Sequence, residues 1–173
     1  MLDPDWLDNC TNELEEIGET LQSLGMNVTL YPVSKDVKLP VLAVALKKIP
    51  NDLELAFNLS FSPYENGNLA EIKLLQFGIE FPWLIPPELK LTFLSMFNDI
   101  NVFNPLGHFS LLDRTIFYRY VCPVPKRLKG NAPALLETIS LASVFAATYE
   151  EKFYRYINRE LSLDEIYDFA VPE

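Results

Sequence analysis

A strict alternation in the stretch Leu53–Phe61 constrains the fold more than any other part of this chain. Large apolar residues occupy its odd positions, and polar or small residues occupy its even positions. This period of two indicates a β-strand with one buried face. The apolar run Pro40–Leu46 precedes it, across a turn at 50–52, and predicts a hairpin partner that is central in the sheet. A further strand over 69–81 makes a meander of antiparallel strands the simplest topology.

Helical spacing replaces this alternation elsewhere in the chain. Apolar residues recur every three or four positions in Pro4–Leu24, in a second segment that begins after Pro86-Pro87, and in a long segment over 132–158. A capping box from Ser162 to Glu165 predicts a final short helix. This order of elements predicts an α+β fold, with an antiparallel β-sheet flanked by helices in a single domain that spans residues 1–173.

The junction between the second helix and the next strands carries three regularly spaced asparagines and a Pro-x-Gly turn. Asparagine amides bond to nearby backbone groups and tolerate left-handed conformations, so this junction predicts a structural turn and no chemistry. A hairpin follows it, with predicted strands at 108–112 and 115–121. The residues to which we assign the structural turn are Asn98, Asn101, Asn104 and Gly107.

Composition narrows the class of partner. The chain has 173 residues, 49% of them apolar, and a net charge of −10. This negative net charge disfavours binding to nucleic acid, and the best cluster of basic residues, 126–129, lies in a short predicted loop. No apolar run is long enough to cross a bilayer, and the start lacks a secretory signal, so we expect a soluble cytoplasmic protein that binds no membrane. Cys10 and Cys122 are expected to be free thiols.

Chemistry-bearing residues are sparse. His108 is the single histidine, and the six glycines form no phosphate-binding loop. We therefore expect no enzyme activity, no metal and no cofactor. An enzyme would require His108, Arg119 and a carboxylate to converge in one pocket, and this remains the less favoured alternative.

Aromatic and large aliphatic residues are more numerous than a domain of this size has to bury, which predicts an interface. The residues that we assign to a partner or dimer surface are Trp83, Leu89, Phe93 and Phe97. A second interpretation of the apolar content is a small-ligand sensor with an apolar cavity between the sheet and the long helix.

The segments 96–101, 107–113 and 117–120, followed by the long helix, resemble the YbjN-like family of sensory-transduction regulators and its type III secretion chaperone-like fold. The resemblance covers about residues 12–157. An added strand near 30–46 and a long loop at 123–131 favour a closely related bacterial or cyanobacterial family. The resemblance implies a homodimeric, non-enzymatic domain that binds an unidentified polypeptide in extended form, by strand addition and side-chain pockets. It implies no catalytic residue.

Overall fold

The computed structural model describes residues 2–49, 53–63, 71–125 and 132–167. The segments predicted as the turn at 50–52 and the basic loop at 126–129 lie outside these ranges. The described residues form a six-stranded sheet, four α-helices and a short 3₁₀ turn at Pro87–Leu89. In chain order the elements are α1 (Pro4–Ser23), β1 (Val28–Tyr31), β2 (Val41–Ile49), β3 (Leu53–Phe61), β4 (Ile72–Leu84), α2 (Lys90–Phe103), β5 (His108–Leu112), β6 (Thr115–Pro125), α3 (Ala132–Ile157) and α4 (Leu163–Tyr167).

The predicted α+β class is confirmed. All neighbouring strands are antiparallel, in the order β1-β2-β3-β4-β6-β5. The first four strands form the predicted meander, but the meander does not continue. Helix α2 carries the chain to the far edge, where β5 forms, and the hairpin then turns back so that β6 pairs with β4. The pairing of β4 with β6, two strands that are distant in sequence, therefore joins the last hairpin to the first four strands.

The prediction that β2 is central is wrong. It lies second from the edge, between β1 and β3. Its long apolar run has a local cause, since Leu42 and Val44 are buried against the helices while Val41, Ala43 and Ala45 point to the other side and are partly exposed. Small and aliphatic residues on the second face thus imitate the pattern of a strand buried on both faces.

One continuous hydrophobic core lies between the sheet and the helices. Its centre is the ring of Phe153 on α3, whose centroid lies 5.2 Å from that of Phe109 and 5.5 Å from that of Phe97. Phe81 and Phe93 contact the same ring at 6.3 and 5.8 Å. Edge-to-face contacts of this kind add to the free energy of burying the apolar area. The aromatic cluster therefore connects α2, α3, β4 and β5.

Helix α1 covers the other half of the core and is fixed by local signals. Asp3 accepts a hydrogen bond at its start, from the backbone N–H of Asp5 at 3.1 Å, and Gly25 follows its end with φ of 84°. Lys73 on β4 forms an ion pair with Glu13 of α1, and burial lowers the pKa of this lysine. The ion pair ties the helix to the sheet.

The predicted capping box at the last helix is confirmed. The Glu165 carboxylate accepts a hydrogen bond from the backbone N–H of Ser162 at 2.7 Å. In return, the Ser162 hydroxyl accepts one from the backbone N–H of Glu165 at 3.4 Å.

Candidate functional site

Three of the four residues predicted for a partner surface are buried in the core, so that prediction is wrong for them. Phe93 and Phe97 are 0% and 3% exposed, and Trp83 is 8% exposed. Phe93 and Phe97 lie on the inner side of α2 within the aromatic cluster, while Trp83 lies on the helix-covered side of β4, with its ring centroid 5.3 Å from that of Tyr154. Leu89 is half-buried against the same core. Helical spacing found the apolar stripe, but that stripe faces inward.

The outward side of α2 carries a second apolar stripe that the sequence interpretation missed. Leu91 is 80% exposed, Val102 is 72% exposed and Leu94 is 43% exposed. The helical spacing places Leu91 and Val102 on the side away from Phe93 and Phe97, with Leu94 at the margin of that side. Apolar residues that fall between the positions of the first stripe were the available signal. A helix that is apolar on two sides is typical of one covered on both.

Three of the four residues assigned to the structural turn lie at the junction of α2 and β5, and the fourth lies within α2. Asn101 uses both ends of its amide on Phe109 of β5, donating from Nδ2 to the carbonyl oxygen at 3.0 Å and accepting the backbone N–H at Oδ1 at 2.7 Å. Asn104 ends α2, and its buried amide lies near the hydroxyl of Tyr118 but makes no hydrogen bond with the described residues. Burial nevertheless raises the pKa of Tyr118 to about 12. Asn98 is exposed and makes no side-chain hydrogen bond with the described part of the chain, so its assignment to the turn is wrong.

Gly107 is required by the turn for two separate reasons. Its φ is 69°, in the left-handed region that favours glycine. A Cβ atom at this position would lie 2.7 Å from the carbonyl oxygen of Arg119 and 2.9 Å from the hydroxyl oxygen of Tyr118. The turn therefore lies directly against β6, and the Tyr118 hydroxyl donates a hydrogen bond to the carbonyl of Leu106 at 2.5 Å.

The edges of the sheet offer little room for an added strand. The outer edge strands β5 and β1 have five and four residues. On β5, the Asn101 amide already occupies the N–H and C=O of Phe109, which point away from β6. Short edges and blocked backbone groups are common protections against unwanted strand pairing. More open surface is therefore available on the sheet face than at the edges.

The sheet face opposite the helices carries a concave surface. Every described side chain on this face is at least partly exposed. A groove of about 610 Å³ crosses it, over several strands. The residues that line it include four short ones, which we call the floor, and five aliphatic or aromatic ones, which we call the walls. The floor residues are Asn58, Ser60, Gly78 and Ser110, and the wall residues are Tyr31, Val37, Val41, Leu112 and Phe117.

Gly78 lies in the middle of this floor. A Cβ atom there would meet its nearest neighbour, the carbonyl oxygen of Tyr118, only at 4.0 Å, and its φ is not positive. Glycine is therefore not needed for the backbone. Its effect is to keep the groove deep between Asn58 on β3 and Arg119 on β6, which are its cross-strand neighbours.

Arg119 is the only arginine or lysine among the described residues that line the groove, and a neutral side chain holds it. Its Nε and Nη2 atoms donate to Oε1 of Gln76 at 3.1 and 2.9 Å. The hydroxyl of Ser62 donates to the same oxygen at 3.3 Å. Glu80 also lines the groove, yet within the described ranges no carboxylate oxygen lies within 4.0 Å of the Arg119 guanidinium. The guanidinium is thus oriented but not neutralised.

His108 and Arg119, the residues of the enzyme alternative, face each other across β5 and β6. They share the open face of the sheet, but the guanidinium extends toward Gln76 on β4, away from β5. His108 is exposed and does not line the groove. The structure brings the two backbone positions together without joining the side chains in one pocket.

The apolar cavity predicted for a ligand sensor also has a different location. Packed aromatic rings fill the centre of the space between the sheet and α3, and the 610 Å³ groove lies on the opposite face.

The described residues contain no group of three or more His, Cys, Asp or Glu side chains placed to hold a metal ion. None of the described helices combines the length and the apolar character of a membrane span.

No protein-family model matches this chain, and no curated protein matches it.

Proposed function

We propose that this protein binds a polypeptide segment that lies across the open face of its sheet. The observation that carries the proposal is the groove, which combines apolar walls with a floor of short side chains on a face that no described helix covers. Apolar pockets with a few oriented polar groups are the usual form of a binding site. The bound segment contributes side chains to the walls, and the protein performs no reaction on it.

The route of binding differs from pure strand addition. Main-chain pairing along an edge needs a row of open N–H and C=O groups. The short β5 strand, with Phe109 already bonded to Asn101, provides few of them. The proposal therefore places the partner on the sheet face and assigns its specificity to side-chain contacts.

The same proposal includes a cytoplasmic, chaperone-like homodimer, as the resemblance to the YbjN-like family implies. We assign the dimer contact to the outward stripe of α2, formed by Leu91, Leu94 and Val102. Self-association of a chain with net charge −10 is opposed by electrostatic repulsion, so it requires a surface that carries little charge. Helix α2 fits that requirement, because Lys90 and Asp99 are its only charged residues.

Filling the groove tests the main proposal. Gly78→Phe adds a ring where a Cβ meets no atom closer than 4.0 Å, so the fold tolerates it while the groove loses its floor. On a cellulose-bound array of twelve-residue peptides of varied composition, we expect the unaltered protein to select apolar peptides. The variant should lose about tenfold or more of that signal, because its ring occupies the space of the bound side chains.

Val144→Phe is the matched control, since it adds a ring to the exposed side of α3, away from the groove. It should bind the array as the unaltered protein does. Selection that survives Gly78→Phe, or no selection at all, would refute the proposal. A small molecule retained by the unaltered protein in native mass spectrometry, and released by Gly78→Phe, would favour the ligand sensor instead.

Charge placed on α2 tests the dimer. We expect the double variant Leu91→Glu, Val102→Glu to be a monomer in size-exclusion chromatography with light scattering, because two carboxylates from each copy would be forced together. Val144→Glu, at an apolar residue of α3 that is 60% exposed, should leave the dimer intact. An unaltered protein that is monomeric at all concentrations would contradict this assignment.

A further inference from the structure

We propose that the segment bound in the groove carries one carboxylate side chain, which pairs with Arg119. This inference rests on the proposed function and specifies the chemistry of the partner. Its starting observation is that the permanently charged guanidinium of Arg119 is hydrogen-bonded to the neutral amide of Gln76. A guanidinium stays protonated at any pH a protein experiences, and the Gln76 amide supplies an oxygen without a charge.

The geometry leaves a defined part of Arg119 available. Gln76 takes the edge of the guanidinium formed by Nε and Nη2. The end formed by Nη1 and Nη2 still carries N–H groups that make no hydrogen bond to a described residue. Two parallel N–H donors at that end match the two oxygens of a carboxylate. Gln76, itself held by Ser62 at 3.3 Å, fixes the plane in which such a pair forms.

Covering the groove makes a partner for this charge necessary. Arg119 is exposed in the free protein, so water solvates it. A bound apolar segment would displace that water, and an unpaired charge beneath it would strongly oppose binding. Glu80 lies on the same face two residues beyond Gly78, the cross-strand neighbour of Arg119, but it does not reach the guanidinium. The compensating charge has to come from the partner.

The rest of the molecule restricts how acidic that partner is. A net charge of −10 repels a run of acidic residues. One carboxylate among apolar residues satisfies both the guanidinium and the apolar walls. The groove extends across several strands, from Tyr31 on β1 to Ser110 on β5, so a chain can pass over Arg119 in mid-segment. We therefore assign the carboxylate to an Asp or Glu side chain within the segment.

The test uses two fluorescein-labelled peptides of leucine, valine and alanine, nine residues long, with either one glutamate or one glutamine at the centre. In fluorescence anisotropy the unaltered protein should bind the glutamate peptide about tenfold more tightly. Gln76→Glu places a carboxylate beside Arg119 within the protein and should abolish this preference. Gln22→Glu makes the same change of charge on the exposed side of α1, away from the groove, and should retain the preference.

The outcomes separate this inference from the proposed function. Equal binding of both peptides, blocked by Gly78→Phe, would overturn the carboxylate and leave the groove as a polypeptide site. Loss of the preference in Gln22→Glu would overturn it as well, since net charge alone would then explain the effect. Absence of binding by either peptide, together with no selection on the array, would overturn both. Equal thermal unfolding temperatures of the unaltered protein and each variant verify that the fold is unchanged.

Discussion

Gly107→Ala should destabilise the fold by about 3 kcal/mol or more, the largest effect expected from adding a methyl group at a glycine that the structure describes. The added Cβ would have to move away from a backbone carbonyl oxygen at 2.7 Å and from the Tyr118 ring at 2.9 Å. Neither neighbour can give way easily. The carbonyl belongs to Arg119 in the interior strand β6, and the Tyr118 hydroxyl is bonded to Leu106. The left-handed φ of 69° adds backbone strain to the clash.

Gly25→Ala provides the matched control for this prediction. Gly25 also has a positive φ, 84°, but a Cβ there meets no atom within 4 Å. It should therefore lose only about 1 kcal/mol, from backbone strain alone. Urea unfolding followed by circular dichroism measures both changes. Equal losses in the two variants would show that close packing of the turn against β6 contributes nothing.

Phe153→Ala should cost about 3–5 kcal/mol of unfolding free energy. The Phe153 side chain is fully buried, and its ring contacts five other aromatic rings with centroid distances from 5.2 to 6.3 Å. Removing it leaves a cavity where α2, α3 and the sheet meet, and rigid rings collapse poorly into such a space. Loss of packing between α2 and the sheet should also weaken the turn that contains Asn101.

Phe103→Ala removes the same ring from a position that is 74% exposed at the end of α2, and it should cost less than about 1 kcal/mol. Chemical unfolding at several denaturant concentrations compares the two variants with the unaltered protein. A small loss for Phe153→Ala would mean that the aromatic cluster is not the centre of the core.

Local patterns were sufficient to predict most of the elements. The alternation in Leu53–Phe61 and the spacing in α1 follow directly from the geometry of strands and helices, so both elements formed where expected. The order of the last strands was not predictable in this way. Pairing of β4 with β6 depends on where α2 delivers the chain, and no single stretch of sequence encodes that.

The candidate site was harder to predict than the fold. Phe93 and Phe97 were assigned to a partner surface because the chain has more large apolar residues than its size requires. Their burial follows from packing against Phe153, a residue far along the chain. In the sequence, Asn58, Gly78 and Ser110 are only small or polar positions in three separate strands. Their shared role as a groove floor depends on the register between strands, which a single sequence does not reveal.

The pairing of β4 with β6 also links binding to the completeness of the chain. Gly78 in the groove floor is made by β4, but Arg119 and Phe117 enter only with β6, after α2 and the turn at Gly107 are in place. A growing chain that ends before β6 has Tyr31 and Val41 of the walls and three of the four floor residues in its sheet, because β5 with Ser110 joins the sheet only through β6, and it lacks the charged group. The groove is therefore complete only where β6 has paired with β4, so the proposed binding of a segment depends on that pairing.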